Sequence, residues 1–215
     1  ARGTWLAGDY DLDVFLGVMG EDDLEKALQL ARQVSSEHRE KYAEHPYVQA
    51  RIEGFEVDLV PCYLVDDASH LRSAVDRTPF HNRYVKHRIA GLEDEVLLLK
   101  QFMKGVGFYG SELKVGGFSG YLAELLVLCY GSFAAVIEAA SLWKPGLRLR
   151  LEGQDKVEQE DPLVFVDPVD PGRNVAAALT LDRMLQFALA ARAFMARPDL
   201  EFFFPEPLSP LSDWE

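Results

Sequence analysis

The pattern of apolar and polar residues predicts a buried strand near the start of the chain. The second half of residues 8–18 is β-branched and apolar, which is typical of a strand inside a sheet. Successive strand side chains point to opposite faces, so Asp11 and Asp13 share one face while Leu12 and Val14 point into a core. Two adjacent carboxylates repel each other, and bound Mg²⁺ removes that cost. A solvated acidic cluster is the alternative, because this spacing alone is a weak signal.

The positions that follow predict a helix and then a hairpin. Residues 21–45 carry apolar side chains at helical spacing, with acidic residues at the start, where they suit the helix dipole. Residues 47–53 and 55–60 are short strand candidates around Gly54, which favours a turn. We expect the helix to cover one face of the sheet.

Asp58 is a lone carboxylate that faces away from the apolar side of a predicted inner strand. Acidic residues are disfavoured in such a place, so Asp58 is either an edge-strand charge or a neighbour of Asp11 and Asp13. Three carboxylates on adjacent strands make a site for two Mg²⁺ ions, which clamp the attacking and leaving oxygens of phosphoryl transfer.

A polar stretch at residues 76–84 predicts the start of another helix. Thr78 suits the N-cap position and Pro79 the first helical position. A helix N-terminus with His81 and Arg77 nearby is a natural anion site. A capped surface helix is the alternative interpretation.

The second half of the chain is predicted to be mainly helical, beginning with an amphipathic helix over residues 91–107. Lys100 lies within an apolar run, so it either snorkels at the edge of the core or points into a cleft. The glycine-rich loop at residues 105–110 includes Tyr109. It does not follow a strand and matches neither a P-loop nor a dinucleotide-binding fingerprint.

Two apolar helices follow at residues 119–130 and 132–143, each with a serine N-cap candidate. Residues 147–152 and 163–166 are short strand candidates. The fold class is therefore α/β (α+β): a short mixed sheet with flanking helices, followed by a mainly helical domain with a few strands.

A proline-rich turn at residues 167–175 is predicted to deliver Arg173 at the start of a helix over residues 175–195, with Asn174 near its cap. An arginine aimed by a rigid turn suits recognition of a triphosphate. A solvent-exposed arginine is the alternative.

Net charge, the number of cysteines and the distribution of apolar residues argue against several classes of function. The 215 residues carry a formal net charge of −13, which argues against binding polyanions through net charge but leaves room for a local basic cleft. Cys62 and Cys129 are too few for a zinc site and fit free thiols in a reducing cytoplasm. The most apolar region, residues 121–143, is interrupted by charged residues, so we expect core helices and no membrane partner.

These stretches together resemble the archaeal-type (class I) CCA-adding enzymes, tRNA nucleotidyltransferases of the polymerase-β-like superfamily. The similar pieces occur in the same order along nearly the whole chain, which makes the set specific. They are residues 1–6, 11–15, 42–47, 55–61, 76–81, 99–110, 117–121 and 167–174.

The resemblance implies a role for each candidate site residue. Asp11, Asp13 and Asp58 match the family's catalytic, Mg²⁺-binding carboxylates. The family's ATP- and CTP-binding positions are matched by Arg2, His81, Lys100 and Tyr109. Thr78 and Arg173 match residues that the family uses to recognise the incoming nucleotide. The implied reaction is stepwise addition of C, C and A to the tRNA 3′ end, with release of pyrophosphate.

The resemblance also implies an organisation: a catalytic head at residues 1–90, a central or neck substrate-binding domain at residues 91–205, and a linker at residues 206–215. The family places a Gly-Ser pair just upstream of the first residue and further domains after the last. We therefore expect a fragment that transfers nucleotides poorly. A homodimer is compatible with the sequence.

Two other functions stay open at this point. One is another polymerase-β-like enzyme, of the poly(A) polymerase or oligoadenylate synthase type. The other is a catalytically silent module that binds nucleotide or RNA. Use of CTP followed by a single A would distinguish CCA addition from both.

Overall fold

A computed structural model describes residues 3–8, 11–42, 45–112 and 114–206. The chain divides into two compact units. The first, Ala7–His87, is called the sheet unit below. The second, called the helical unit, combines Ala1–Leu6 with Arg88–Glu215. The first few residues of the chain therefore group with the helical unit, although they immediately precede the first strand.

The described part of the sheet unit is built on four strands and two α-helices. In chain order these are β1 (Asp11–Val18), α1 (Glu21–Val34), β2 (His38–Tyr42), β3 (Pro46–Ile52), β4 (Phe55–Tyr63) and α2 (Thr78–Arg88). Two short 3₁₀ helices, Ala68–His70 and Val75–Arg77, lie between β4 and α2.

The strands form one mixed sheet in the order β1-β4-β3-β2. β1 runs parallel to β4, whereas β3 is antiparallel to both of its neighbours. The β3–β4 hairpin turns through Glu53 and Gly54, whose φ angles of 50° and 90° both lie in the left-handed region. Two positive φ angles match the right-handed twist of the flanking strands, and the hairpin predicted around Gly54 is confirmed.

One face of the sheet packs under α1, because apolar residues alternate along β3 and β4 and recur at helical spacing along α1. The opposite face is polar at the end that carries Asp13 and Asp58, and apolar farther along, at Phe15 and Val60. The buried residues of the main core cluster are Leu28, Ala31, Val48, Ala50, Val57 and Leu59.

The predicted helix over residues 21–45 is wrong in its second half. α1 ends at Val34, and His38–Tyr42 form the edge strand β2, paired antiparallel with β3. The apolar spacing of α1 does not continue beyond Val34. The polar residues that follow form a strand because β3 offers a backbone ladder, which local sequence does not reveal.

Leu12 and Val14 do not lie in a core, contrary to the prediction. They are 50% and 43% exposed. The apolar side chains of α1 instead pack against Leu16 and Val18, at the other end of β1. Leu12 and Val14 lie opposite Val57 and Leu59, which α1 does cover. The predicted buried strand β1 is thus an edge strand, and its first residues lie beside the covered part of the sheet.

In its described residues, the helical unit contains four α-helices and a small sheet. The elements are α3 (Glu93–Gly105), α4 (Gly120–Tyr130), α5 (Phe133–Ala140), β5 (Leu147–Leu149), β6 (Leu163–Phe165) and α6 (Leu181–Ala196), with a 3₁₀ helix at Leu200–Phe202. β5 and β6 pair in parallel. The predicted fold class, a mixed α/β head followed by a mainly helical part, is confirmed.

Phe102 lies at the centre of the helical unit and is fully buried. Five aromatic rings surround it with centroids 5.4–6.0 Å away, mostly edge to face, as aromatic quadrupoles prefer. They come from α5, α6 and the segment after α6, so Phe102 ties α3 to the C-terminal part of the described chain. The five are Phe133, Phe187, Phe194, Phe202 and Phe203.

Helix boundaries in this unit follow their caps. The Ser119 and Ser132 hydroxyls accept hydrogen bonds from the backbone N–H of Leu122 and Ala135, which confirms both predicted N-caps. The helix predicted from residue 175 instead begins at Leu181, because the Thr180 hydroxyl caps it.

Both cysteines are free thiols, Cys62 buried and Cys129 half-buried. Burial is the main cause that raises the pKa of each thiol above its ordinary value. Within the described ranges, no single helix is long and apolar enough to cross a membrane. The bent pair of α4 and α5 passes by length and composition alone.

We expect Phe102→Ala to lower the free energy of unfolding by about 3–5 kcal/mol, since it removes a fully buried ring and leaves a cavity. Phe204→Ala is the matched control, because that ring is 67% exposed and should cost far less. Urea denaturation followed by circular dichroism measures both. Equal losses would contradict the central role of Phe102.

We also expect stability to fall as the pH rises above the ordinary thiol pKa of 9.0. A raised pKa in the folded state means that the folded chain keeps the thiol proton longer than the unfolded chain. The stabilisation is therefore complete below pH 9.0 and is lost as pH rises through the folded-state pKa. The slope of unfolding free energy between about pH 8 and pH 10 should be shallower in Cys129→Ala. An unchanged slope would contradict this.

Candidate active site

The polar face of the sheet brings two of the predicted carboxylates together. Parallel pairing of β1 with β4 places Asp13 directly opposite Asp58. Paired residues on neighbouring strands point to the same face. Asp13 is exposed and Asp58 is half-buried. β4 is an inner strand, as predicted for Asp58.

Gln49 on β3 holds the Asp58 carboxylate in place. The two residues are directly opposite in the antiparallel ladder, and Gln49 Nε2 donates to Asp58 Oδ1 over 2.8 Å. Gln49 Oε1 accepts from Arg39 Nε at 2.8 Å and Nη2 at 2.6 Å. Arg39 Nη2 also lies 3.6 Å from a carboxylate oxygen of Glu56. A continuous network of hydrogen bonds and an ion pair between side chains thus connects β2, β3 and β4.

The pKa of Tyr47 is affected by the negative charge on this face of the sheet. Burial first, and then the negative charges of Asp58 and Asp13, raise the pKa of the Tyr47 phenol. A phenolate beside two carboxylates would be repelled, so the neutral hydroxyl is favoured.

The donor set fits a hard divalent cation. Two carboxylates at paired register positions offer oxygen ligands on one side of the sheet, of the kind that Mg²⁺ prefers. Asp11 is in β1 by its backbone, opposite Glu56, but its side chain lies outside the described part of the structure. Among the side chains that are described, no group of three acidic, histidine or cysteine residues could hold a metal.

Thr78 and His81 both lie on α2, one turn apart. The predicted N-cap at Thr78 is wrong, because Thr78 has helical backbone angles and follows directly on the 3₁₀ helix Val75–Arg77. The buried carboxylate in this region is Asp76, which is fully inaccessible. It accepts hydrogen bonds from the backbone N–H groups of Tyr63, Arg72 and Ser73. Asp76 thus ties the end of β4 to the segment that leads into α2.

Lys100 is buried and paired. Its Nζ donates to the backbone oxygen of Thr4 over 2.6 Å and lies 3.6 Å from Glu124 Oε1. The Thr4 hydroxyl donates to the same Glu124 oxygen, also over 2.6 Å. This network fastens the start of the chain to α3 and α4. A buried charge needs such partners.

Tyr109 lies near Lys100 because Gly120 leaves room for both. A Cβ atom built on Gly120 would lie 3.0 Å from the Tyr109 hydroxyl and 3.4 Å from Lys100 Nζ. The structure therefore brings these two predicted nucleotide-binding residues together at the first residue of α4.

Arg173 is held by a buried carboxylate and does not start a helix. Its Nη1 lies 2.9 Å from Oδ2 of Asp167, which is fully buried, and the Tyr121 hydroxyl donates to the other Asp167 oxygen. Asn174 does not cap a helix either. Its amide oxygen accepts from the backbone N–H of Phe165 and of Ala176, which anchors the turn to β6. α6 begins only after Thr180, whose hydroxyl caps it.

One predicted site residue, Arg2, lies outside the described residues. Sequence reasoning missed the supporting residues Gln49, Glu124 and Asp167. Only Glu124 gave a signal, as a charge interrupting an apolar helix. The others sit among ordinary polar positions.

Two family models match the chain. The nucleotidyltransferase domain matches residues 1–81, and the second domain of tRNA nucleotidyltransferases matches residues 94–204. CCA-adding enzymes from Methanosarcina acetivorans and Methanothermobacter thermautotrophicus are 55% and 53% identical to the chain. These alignments cover 100% and 97% of the chain but 49% and 48% of the relatives. The chain thus spans about half the length of the curated relatives it matches.

Solved structures support the fold alone. A Cid1 poly(U) polymerase has a TM-score of 0.67 at 15% identity, over 91% of this chain and 80% of that one. A cytoplasmic RNA terminal U-transferase has a TM-score of 0.65 at 14% identity, over 93% and 82%.

We expect the Lys100–Glu124 pair to behave as a coupled unit. Glu124→Leu or Lys100→Met alone should lower the free energy of unfolding by about 3–5 kcal/mol, because each leaves a buried charge unpaired. The double variant should lose much less than the sum of the two. Urea denaturation of all four proteins provides the double-mutant cycle. Additive losses would mean that the two residues stabilise the fold independently.

Proposed function

Because the chain belongs to the tRNA nucleotidyltransferase family, we propose that it takes part in adding C, C and A to the 3′ end of tRNA from CTP and ATP. The observation that carries the proposal is the pairing of Asp13 with Asp58 on the polar face of the sheet. Neighbouring carboxylates repel each other, and a divalent cation bound by both would relieve that repulsion.

We assign the metal-binding role to Asp11, Asp13 and Asp58. Members of the nucleotidyltransferase family generally use divalent metals, and oxygen ligands of this kind suit Mg²⁺. When bound, Mg²⁺ would neutralise charge that develops on the phosphate oxygens.

In the proposed reaction, the 3′ hydroxyl oxygen of the tRNA attacks the α-phosphorus of the nucleotide. The new oxygen–phosphorus bond forms as the bond to pyrophosphate breaks, and the hydroxyl proton passes to solvent. This chemistry needs positioning and charge stabilisation and no covalent intermediate on the protein.

The remaining candidates are assigned to the nucleotide. The triphosphate would be bound by Arg2, His81, Lys100 and Tyr109. A lysine and a nearby hydroxyl can both donate hydrogen bonds to its negatively charged oxygens. Thr78 and Arg173 would recognise the incoming nucleotide. The ion pair with Asp167 supports this role for Arg173, because it holds the guanidinium in one orientation.

We further assign the catalytic head to residues 1–90 and the central substrate-binding domain to residues 91–205. The proposed location is the cytoplasm, where free thiols such as Cys62 and Cys129 stay reduced. A homodimer stays a prediction, for which sedimentation velocity is the direct measurement.

Nucleotide binding tests the proposed site. We expect CTP and ATP to bind more tightly with Mg²⁺ than without it. Asp13→Asn or Asp58→Asn should weaken the Mg²⁺-dependent binding about tenfold, or ~1.4 kcal/mol. Asp66→Asn, a change of the same kind at an exposed position of the sheet unit, is the control. Isothermal titration calorimetry measures all four proteins.

Equal Mg²⁺-dependent binding by the wild type and both site variants would contradict the metal assignment. The transferred sequence provides a separate test. A tRNA without its CCA end is incubated with the chain and all four nucleotides, and any extended product is sequenced. Addition of C, C and one A supports the proposal, whereas runs of A or U would assign another activity of the same fold.

A further inference from the structure

Gln49 is a buried polar residue that the proposed chemistry does not use. It is 8% exposed, in the middle of β3, on the face that carries Asp58. A buried amide is costly unless its hydrogen bonds are made. Gln49 meets that requirement at both ends, through Asp58 on one side and Arg39 on the other.

The direction of the Gln49 amide is determined by its partners. The Arg39 guanidinium carries only donors, so the group that faces it must be the amide oxygen. The amide NH₂ group therefore faces Asp58, and a carboxylate accepts from it. The two hydrogen bonds from Arg39 polarise the amide and strengthen its donation to Asp58.

The bond from Gln49 uses only one oxygen of the Asp58 carboxylate. Oδ1 accepts at 2.8 Å, and no described residue donates to Oδ2. Fixing Oδ1 restricts rotation of the carboxylate about its χ2 torsion, so Oδ2 is held in one direction relative to Asp13 on the neighbouring strand.

We propose that Gln49, itself oriented by Arg39, is a positioning residue that aims the Asp58 carboxylate at a divalent cation. The inference rests on the proposed function, because it requires that Asp58 bind the metal. Partners that hydrogen-bond to a metal ligand commonly change metal affinity 10–100-fold when they are removed.

This positioning role predicts different effects on the binding of Mg²⁺ and of Ca²⁺. Mg²⁺ requires nearly ideal octahedral geometry, whereas Ca²⁺ accepts irregular oxygen ligands. A loosely held Asp58 should therefore weaken Mg²⁺ binding more than Ca²⁺ binding. General damage to the sheet would weaken both equally.

The test measures cation binding directly. Mn²⁺ is titrated into the chain and followed by electron paramagnetic resonance, and Mg²⁺ and Ca²⁺ are measured by competition. Gln49→Met keeps the side-chain length and removes both hydrogen-bonding groups. We expect it to weaken Mg²⁺ binding about tenfold and Ca²⁺ binding less. Thermal denaturation shows whether each variant is folded.

Arg39→Met provides a second variant that does not alter the core, because the Arg39 side chain is 64% exposed. We expect a smaller loss of Mg²⁺ affinity with the same direction of selectivity. Arg51→Met is the control, since Arg51 is an exposed arginine of β3 on the same face as Gln49. It removes one positive charge, as Arg39→Met does, without breaking the hydrogen bonds of Gln49.

The outcomes distinguish this inference from the proposed function. If Asp58→Asn leaves cation binding unchanged, the metal assignment fails and the positioning role fails with it. If Asp58→Asn weakens binding while Gln49→Met and Arg39→Met match the wild type, only the positioning role is overturned. Equal losses of Mg²⁺ and Ca²⁺ affinity in Gln49→Met would also overturn it. If Gln49→Met does not fold, the Mg²⁺ affinities of Arg39→Met and Arg51→Met are compared instead. A loss in Arg39→Met alone supports the positioning role, and equal affinities overturn it.

Discussion

The parallel pairing of β1 with β4 is the constraint on which the candidate site depends. Asp13 and Asp58 are far apart in sequence, and only this ladder places them opposite each other. Their mutual repulsion opposes the pairing. The opposite face of the same sheet compensates, because Val57 and Leu59 on β4 bury apolar area under α1. A slip of one residue would turn Asp58 towards that core, so hydrophobic burial specifies the register that the carboxylates require.

Polar groups of the candidate site in both units are held by hydrogen bonds or ion pairs to defined partners. Asp58 is held by Gln49, Lys100 by Thr4 and Glu124, and Arg173 by Asp167. In each case a residue assigned to metal or nucleotide meets a neighbour of complementary charge or hydrogen-bonding capacity. An unsatisfied partner would cost free energy, so these contacts restrict the side chains to few rotamers. Such pre-organisation is what a site for phosphoryl transfer requires.

The chain carries a net negative charge, as does the RNA that is its proposed substrate. A net charge of −13 gives no general attraction for RNA. Any contact with a tRNA end would therefore depend on local cations and on metal ions bound by the carboxylates. Arg39 is one local positive charge on the sheet unit. Its exposed guanidinium lies beside Glu56 and bonds to Gln49, so part of its positive charge is offset by a neighbouring carboxylate.

The sequence by itself determined the elements whose signal is local. A β-branched apolar run identified β1, and alternation identified β4. Amphipathic spacing identified α3, and apolar runs with serines at their start identified α4 and α5 with their N-caps. It also pointed to Asp58, because a lone carboxylate on an inner strand needs a reason. These features depend on neighbours within a few residues along the chain.

Only the tertiary structure decided the rest. β2 is polar and becomes a strand because β3 pairs with it, whereas Leu12 and Val14 are apolar and stay exposed because α1 does not reach them. Asn174 does not cap a helix, because its side chain is bonded to Phe165 of β6. Gln49 and Glu124 acquire their roles from partners on other elements. Such contacts form between segments distant along the chain, so their energies leave no periodic signal in the sequence.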